Sequence, residues 1–162
     1  MDTKSSTLLR AAYILAEAKS VDPSTRVGAI VITQRRNEHY YGVNKLTPGI
    51  IIDLSNRELK YKYIEHAERD AIFKATMAGE SLLGATMYCP WAACCDCARA
   101  IILSGIQEVV CHGDALAKTP PRWEADIAIA KQMFEAACVK YTWCHGYLGG
   151  CTNLFDGKYW NP

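Results

Sequence analysis

At 162 residues, half of them hydrophobic and 22% charged, the chain suits one globular domain with room for a proper core. A net charge of +1 leaves no global attraction to nucleic acid or to an anionic membrane. No apolar run approaches the ~20 residues of a membrane span, and the opening Met1-Asp2-Thr3-Lys4 does not read as a signal peptide, so a cytoplasmic protein is expected.

Leu8, Ala11, Ala12, Leu15 and Ala16 recur at helical spacing behind Ser and Thr capping candidates, which predicts a first helix over Thr7 to Ser20. Asp22-Pro23-Ser24 breaks it. Val27 to Thr33 reads as a buried strand, and a turn over Gln34 to Asn37 leads to a second strand at about His39 to Val43, making a hairpin. Lys45 to Lys62 is a long connection with Pro48, Gly49 and several charges, and loops of that length are usually functional. A second helix is expected over His66 to Met77, a short strand over Thr86 to Cys89, and a third helix over Cys95 to Ser104. Ile106 to Cys111 reads as a strand, Pro120-Pro121 opens a helix to about Ala137, and Val139 to Trp143 is the last strand. The helix between the last two strands predicts that they are parallel, because an antiparallel pair needs only a tight turn. A tail over residues 146–162 follows the domain at 1–145, with packing expected on that domain or on a neighbouring subunit.

Eight cysteines in a chain read as unsecreted call for a reason other than disulfides. Cys89, Cys94, Cys95 and Cys97 cluster, and metal ligation is the better reading of that cluster. His66-Ala67-Glu68 begins the second expected helix and Cys94-Cys95-Asp96-Cys97 begins the third, so both helix starts can meet at one sheet edge. One imidazole and two thiolates make three zinc ligands and leave a fourth position for water, the count of a catalytic site. Thiolates at a helix N-terminus are favoured by free N–H groups and the helix dipole. Glu68, two residues from a ligand, is placed to move protons to and from that water. Cys95 reads as a spectator facing away from the metal. Cys111-His112, Cys144-His145 and Cys151 offer a second, structural zinc site, against the commoner reading of core cysteines and a surface histidine.

These residues resemble the H-x-E…P-C-x-x-C signature, and the chain resembles the zinc-dependent cytidine and deoxycytidylate deaminase family over roughly residues 8 to 145. The deoxycytidylate branch is matched by Asp22-Pro23-Ser24-Thr25-Arg26-Val27-Gly28-Ala29, by Gly42-Val43-Asn44, by Lys60-Tyr61-Lys62-Tyr63 ahead of His66-Ala67-Glu68, and by Cys97 to Ile106. One departure is visible: Ala93 stands where the signature has proline, with Pro90 three residues earlier.

The resemblance implies a three-layer αβα cytidine-deaminase-like fold with a five-stranded mixed sheet. It implies hydrolysis of dCMP to dUMP, and of dCTP to dUTP as a sister reaction, with hydroxide on zinc attacking cytosine C4 and Glu68 as proton shuttle. His66, Cys94 and Cys97 are then the ligands of one catalytic zinc. Ala67 N–H and the Ala92 carbonyl would read the base, Asn44 the sugar, and Trp91 would wall the pocket. Arg26 is the first choice for the phosphate, Arg122 the second, with Lys45, Arg57 and Lys62 behind them. A homohexamer, dCTP and dTTP as effectors, and a place in deoxyribonucleotide synthesis are implied as well. The competing functions are a tRNA or single-stranded nucleic acid deaminase and a nucleotide sensor without turnover; the near-zero charge weighs against the first and Glu68 against the second.

Overall fold

The computed structural model describes residues 2–162. Helix α1 (Thr3–Lys19) opens at Asp2, whose carboxylate accepts the Ser5 N–H at 2.9 Å. This cap satisfies an orphan donor and starts the helix ahead of the expected Thr7. Strand β1 (Gly28–Ile32), buried throughout, pairs antiparallel with β2 (His39–Val43) as the hairpin pattern predicts.

The long connection is more structured than expected. It holds β3 (Lys45–Leu46), helix α2 (Arg57–Tyr63) and β4 (Ile64–Glu65), the two strands pairing with each other. Asn56 caps α2 through a bond from the Leu59 N–H at 3.1 Å. Helix α3 (Ala67–Met77), β5 (Thr86–Tyr88), α4 (Cys95–Leu103) and β6 (Glu108–His112) follow. A short α5 (Gly113–Leu116) was not anticipated; α6 (Pro121–Ala136) and β7 (Lys140–Cys144) were.

Strand order is β2-β1-β5-β6-β7, with β1 antiparallel to both neighbours and β5, β6 and β7 parallel. Alternation along the strands divides the core into two. Ala29, Val31, Met87 and Val109 pack with residues of α3, α4 and α6 on one face. Ile30, Ile32, Tyr88 and Val110 pack with Leu9, Ala12 and Tyr13 of α1 on the other. This is the three-layer αβα arrangement of the cytidine-deaminase-like fold.

Residues 146–162 carry a second hairpin, β8 (Asn153–Phe155) and β9 (Lys158–Trp160), joined by Asp156-Gly157 with both φ values positive. It is tied to the segment before β1. The Arg26 N–H donates to the Leu154 carbonyl at 2.9 Å, Asn153 Nδ2 to the Arg26 carbonyl at 2.8 Å, and the Gly157 N–H to the Ser24 carbonyl at 2.8 Å. Trp160 meets Tyr13 edge-on and stacks on His112.

Two glycines decide how closely helices approach the sheet. A Cβ at Gly28 would run into the Ala12 carbonyl of α1, and one at Gly42 into the Ala67 carbonyl and Ala71 nitrogen of α3. Asp70 then fixes α3 in place. It accepts the Val43 N–H at 3.1 Å and pairs with Lys45 at 2.5 Å and Lys74 at 2.8 Å. Gly42→Ala should therefore lower unfolding stability by about 1–3 kcal/mol, the usual cost of overpacking, in a denaturant titration. An unchanged midpoint would show that α3 can move away from β2 freely.

Candidate active site

Two helix N-termini, those of α3 and α4, supply the centre of the site. The N-cap positions are His66 and Cys94, and neither side chain makes a capping bond, although capping oxygens are strongly preferred there. Other groups satisfy the orphan amides: Glu65 accepts the His66 N–H at 2.8 Å, and Asp126 on α6 accepts the Cys95 N–H at 2.9 Å. The cap side chains are left to meet each other. His66 Nδ1 lies 3.5 Å from Cys94 Sγ and 3.5 Å from Cys97 Sγ, and the three donor atoms lie within 4.8 Å of one another. No other such group of His, Cys, Asp or Glu occurs among the described residues.

These residues fit zinc. Metal–sulfur bonds of about 2.3 Å and metal–nitrogen bonds of about 2.0–2.1 Å at tetrahedral angles give a nitrogen-to-sulfur edge of about 3.5 Å. The thiols are already unequal. Cys94 is held down to about 4, chiefly by the hydrogen bond from Cys97 and then by His66, whereas Cys97, the donor of that bond, is pushed well up. Burial pulls His66 down, but its bond to Cys94 and the charge of Glu68 leave it raised overall. Arg69 faces Cys97 Sγ at 4.0 Å and pairs with Glu65 at 2.5 Å.

Glu68 is only 5% exposed, and burial raises its pKa above the usual carboxylate range. It lies with His66 and Cys94 along a pocket that also takes in Asn44, Lys60 and Ala92. Trp91 and Trp123 meet edge-on at 5.8 Å on the pocket wall, and Trp91 meets Phe155 of the second hairpin at 5.0 Å. Trp91 Nε1 donates to Thr119 Oγ1 at 3.0 Å, which fixes the ring. Asn44 Oδ1 is buried without a hydrogen-bond partner on the pocket wall.

The expected residues are thus only partly assembled. His66, Glu68, Cys94, Asn44, Trp91 and Ala92 line the pocket, with Cys97 beside them and Ala67 buried at the start of α3. Arg26 is paired with Glu17 at 2.6 Å, and Arg122 with Asp156; neither lines the pocket, since salt-bridge partners outside it hold both side chains. Lys45 is engaged by Asp70. Cys95 bonds to the Asp126 carbonyl, away from the other thiols. His112 is fully buried between the Tyr13 hydroxyl and the Gly146 carbonyl, each at 3.0 Å, so both ring nitrogens are used inside the core.

The cation on the pocket wall is Lys60, which lies in the long connection and is not among the phosphate candidates that the sequence suggests. It is 4% exposed, with Nζ 3.0 Å from Asp22 Oδ1 and 2.6 Å from Ser24 Oγ. Its signal was its place in the Lys60-Tyr61-Lys62-Tyr63 run. Tyr61 and Trp123 were also missed as wall residues, and their approach (5.8 Å, 76°) depends on tertiary packing alone.

Residues 2–113 match the cytidine and deoxycytidylate deaminase zinc-binding region. The chain belongs to the cytidine and deoxycytidylate deaminase family. An uncharacterized deaminase encoded in the luxG 3′ region of Aliivibrio fischeri is 36% identical over 126 residues, covering 76% of this chain and 82% of that protein. The deoxycytidylate deaminase of Mus musculus is 32% identical over 112 residues, which span 64% of this chain and 62% of the mouse enzyme. Among solved structures of the family's fold, that of dCMP deaminase from cyanophage S-TIM5 in complex with dCMP and dUMP covers 89% of this chain and 99% of its own. Its TM-score is 0.69 at 21% identity.

Family membership and the donor set together predict the metal content. After equilibration with zinc and dialysis, the native protein and Cys95→Ala should each hold roughly one equivalent, and Cys94→Ala or His66→Ala under about a tenth, by elemental analysis. Zinc loss in Cys95→Ala would overturn the ligand assignment.

Proposed function

We propose that the enzyme hydrolyses the exocyclic amine of dCMP, giving dUMP and ammonia. The observation that carries this reading is a buried carboxyl, Glu68, beside a His66, Cys94 and Cys97 donor set, in a pocket that also presents a fixed cation, Lys60. The name of the mouse relative and the ligands of the cyanophage structure support it.

Zinc held by His66, Cys94 and Cys97 supplies, when bound, a water acidic enough to attack near neutral pH. Glu68 is the group that moves protons. Two residues from a ligand and buried on the pocket wall, it is placed to accept a proton from water and release it to N3 of the ring. As the new C4–O bond forms, the C4–N3 double bond opens and N3 takes that first proton. Glu68 then carries the proton of the new C4 hydroxyl to the amine, and the C4–amine bond breaks to give ammonia and the C4 carbonyl of dUMP.

The other residues bind and orient. Trp91 offers a fixed aromatic face to the base, the Ala92 carbonyl accepts from the exocyclic amine, and the Ala67 N–H serves ring O2. The unpartnered Asn44 Oδ1 accepts from a sugar hydroxyl. Lys60 has one donor left after Asp22 and Ser24, and directs it at the 5′-phosphate. A walled pocket with one buried cation favours a nucleoside monophosphate, with dCTP as a slower substrate.

The test is ammonia release from dCMP, dCTP, deoxycytidine and cytidine by the zinc-loaded protein. Turnover of dCMP that falls about 10²–10⁴-fold in Glu68→Ala, with zinc retained, is the expected result. Absence of turnover on every monomer, with zinc bound, would sink the proposal. For the phosphate contact, Lys60→Gln keeps a donor toward Asp22. It should reduce the preference for dCMP over deoxycytidine by about tenfold, read as kcat/KM, consistent with loss of one charged hydrogen bond. An unchanged preference would place the phosphate elsewhere.

A further inference from the structure

The loop that carries Cys94 is held in two different ways. Up to Pro90 it continues the pairing of β5 with β6: the Cys89 N–H donates to the Val110 carbonyl and the His112 N–H to the Pro90 carbonyl, both at 3.0 Å. Beyond Pro90 it leaves the sheet, and side chains take over. The Trp91 carbonyl accepts from Cys111 Sγ at 3.5 Å, and the Ala93 N–H donates to Tyr141 Oη at 3.2 Å.

Cys111 and Tyr141 come from neighbouring parallel strands. Cys111 S–H thus holds the Trp91 carbonyl, and Tyr141 Oη holds the Ala93 N–H. The two contacts fall on the residues that flank Ala92. Tyr141 is itself fixed, its ring packed against Phe134 (4.7 Å, 63°) and Trp143 (4.6 Å, 51°). An oxygen held that way is a reference point for the loop.

Position 93 is where the P-C-x-x-C signature has proline. Proline has no N–H to offer, and its Cδ would occupy the side from which the Tyr141 oxygen approaches. Ala93 and Tyr141 therefore form a matched pair: alanine supplies a donor, and the tyrosine accepts it.

We propose that Tyr141 is a positioning residue for the metal loop, setting the Ala92 carbonyl and Cys94 by accepting the Ala93 N–H in place of a proline's stiffness. This rests on the reading of Ala92 and Cys94 as parts of a deaminase site.

The experiment is a double-mutant cycle of Tyr141→Phe and Ala93→Pro in the full chain. Three quantities are read: kcat and KM on dCMP, the rate at which a chelator strips zinc, and hydrogen exchange of the 90–95 segment. Tyr141→Phe should lower kcat about tenfold, as expected for one buried hydrogen bond, with faster zinc loss and faster exchange of the segment. Ala93→Pro alone should also be impaired, because the pyrrolidine ring meets the hydroxyl. In the double variant there is neither an N–H to satisfy nor a hydroxyl to clash, so kcat should recover to within about threefold of the native value. Penalties that multiply in the double variant would overturn the proposal, as would Tyr141→Phe with unchanged kcat and exchange. Should a single variant fail to fold, the native Ala93 amide decides. Protection like that of the Ala98 N–H, bonded to the Cys94 carbonyl at 2.8 Å, supports the proposal, and exchange at the rate of an unbonded loop amide overturns it. Exchange and zinc retention need no turnover, so a failure of the dCMP reading would show separately, as an inactive but protected native enzyme.

Discussion

Everything chemical in this protein depends on one close approach, the backbone of α3 against β2 at Gly42. With no Cβ in the way, the helix carrying His66 and Glu68 settles almost onto the strand, and its small residues Ala67, Ala71 and Ala75 line the interface. The charges of Asp70 hold it there against sliding, through an amide of β2 and two lysines. On the other side α3 packs against α4, whose first turn carries Cys97. A site assembled from two helix starts on one rigid sheet keeps its donor atoms in place before any ligand arrives, which is the condition for a reaction that depends on fixed geometry.

That assembly is electrostatically costly in isolation. A carboxyl, two sulfurs and an imidazole share a largely buried space, and the response of the bare protein is legible in the directions of its pKa shifts. Burial drives Glu68 toward its neutral form, and the two thiols are shifted in opposite directions, Cys94 down and Cys97 up. A divalent cation reverses that logic, since it favours both thiolates and an ionised neighbour. The helix N-termini help in the same sense, each lending partial positive charge to the side chain at its cap. The giving up of ordinary caps at His66 and Cys94 is thus a local loss of helix stability, offset by Glu65 and Asp126 from outside.

Sequence reasoning reached the centre of the site because its spacing is local. His66-Ala67-Glu68 and Cys94-Cys95-Asp96-Cys97 each sit within one helical turn, and the parallel order of the last strands follows from the helix between them. What it missed depends on tertiary contacts. Lys60 carries the look of a solvated lysine, and only its partner Asp22, far along the chain, reveals that it is buried. Arg26 stands just before β1, where a phosphate contact is expected, yet a glutamate on α1 pairs with it. The second hairpin was different, since its signal stood in plain view: Phe155-Asp156-Gly157-Lys158 is an Asp-Gly turn between apolar and aromatic residues, the strongest short-range hairpin pattern. The segment still reads as a tail from sequence, because nothing local says that Leu154 and Phe155 are buried.

The buried Lys60 pair also bears on how such a pocket discriminates. Asp22 Oδ1 accepts the Ser24 N–H at 2.8 Å, the Thr25 N–H at 2.9 Å, the Ser24 hydroxyl at 3.0 Å and Lys60 Nζ at 3.0 Å. One carboxylate therefore organises the whole 22–25 turn and pins the lysine, and Thr25 in turn accepts the Asp156 N–H of the second hairpin. A cation already matched by a carboxylate adds little net attraction for an anion. Under the proposed reading, a pinned donor on the pocket that holds Glu68 would discriminate among ligands by geometry instead, because it would reward only an anion that reaches that point. A long flexible lysine at the surface would do the reverse, attracting any phosphate and placing none.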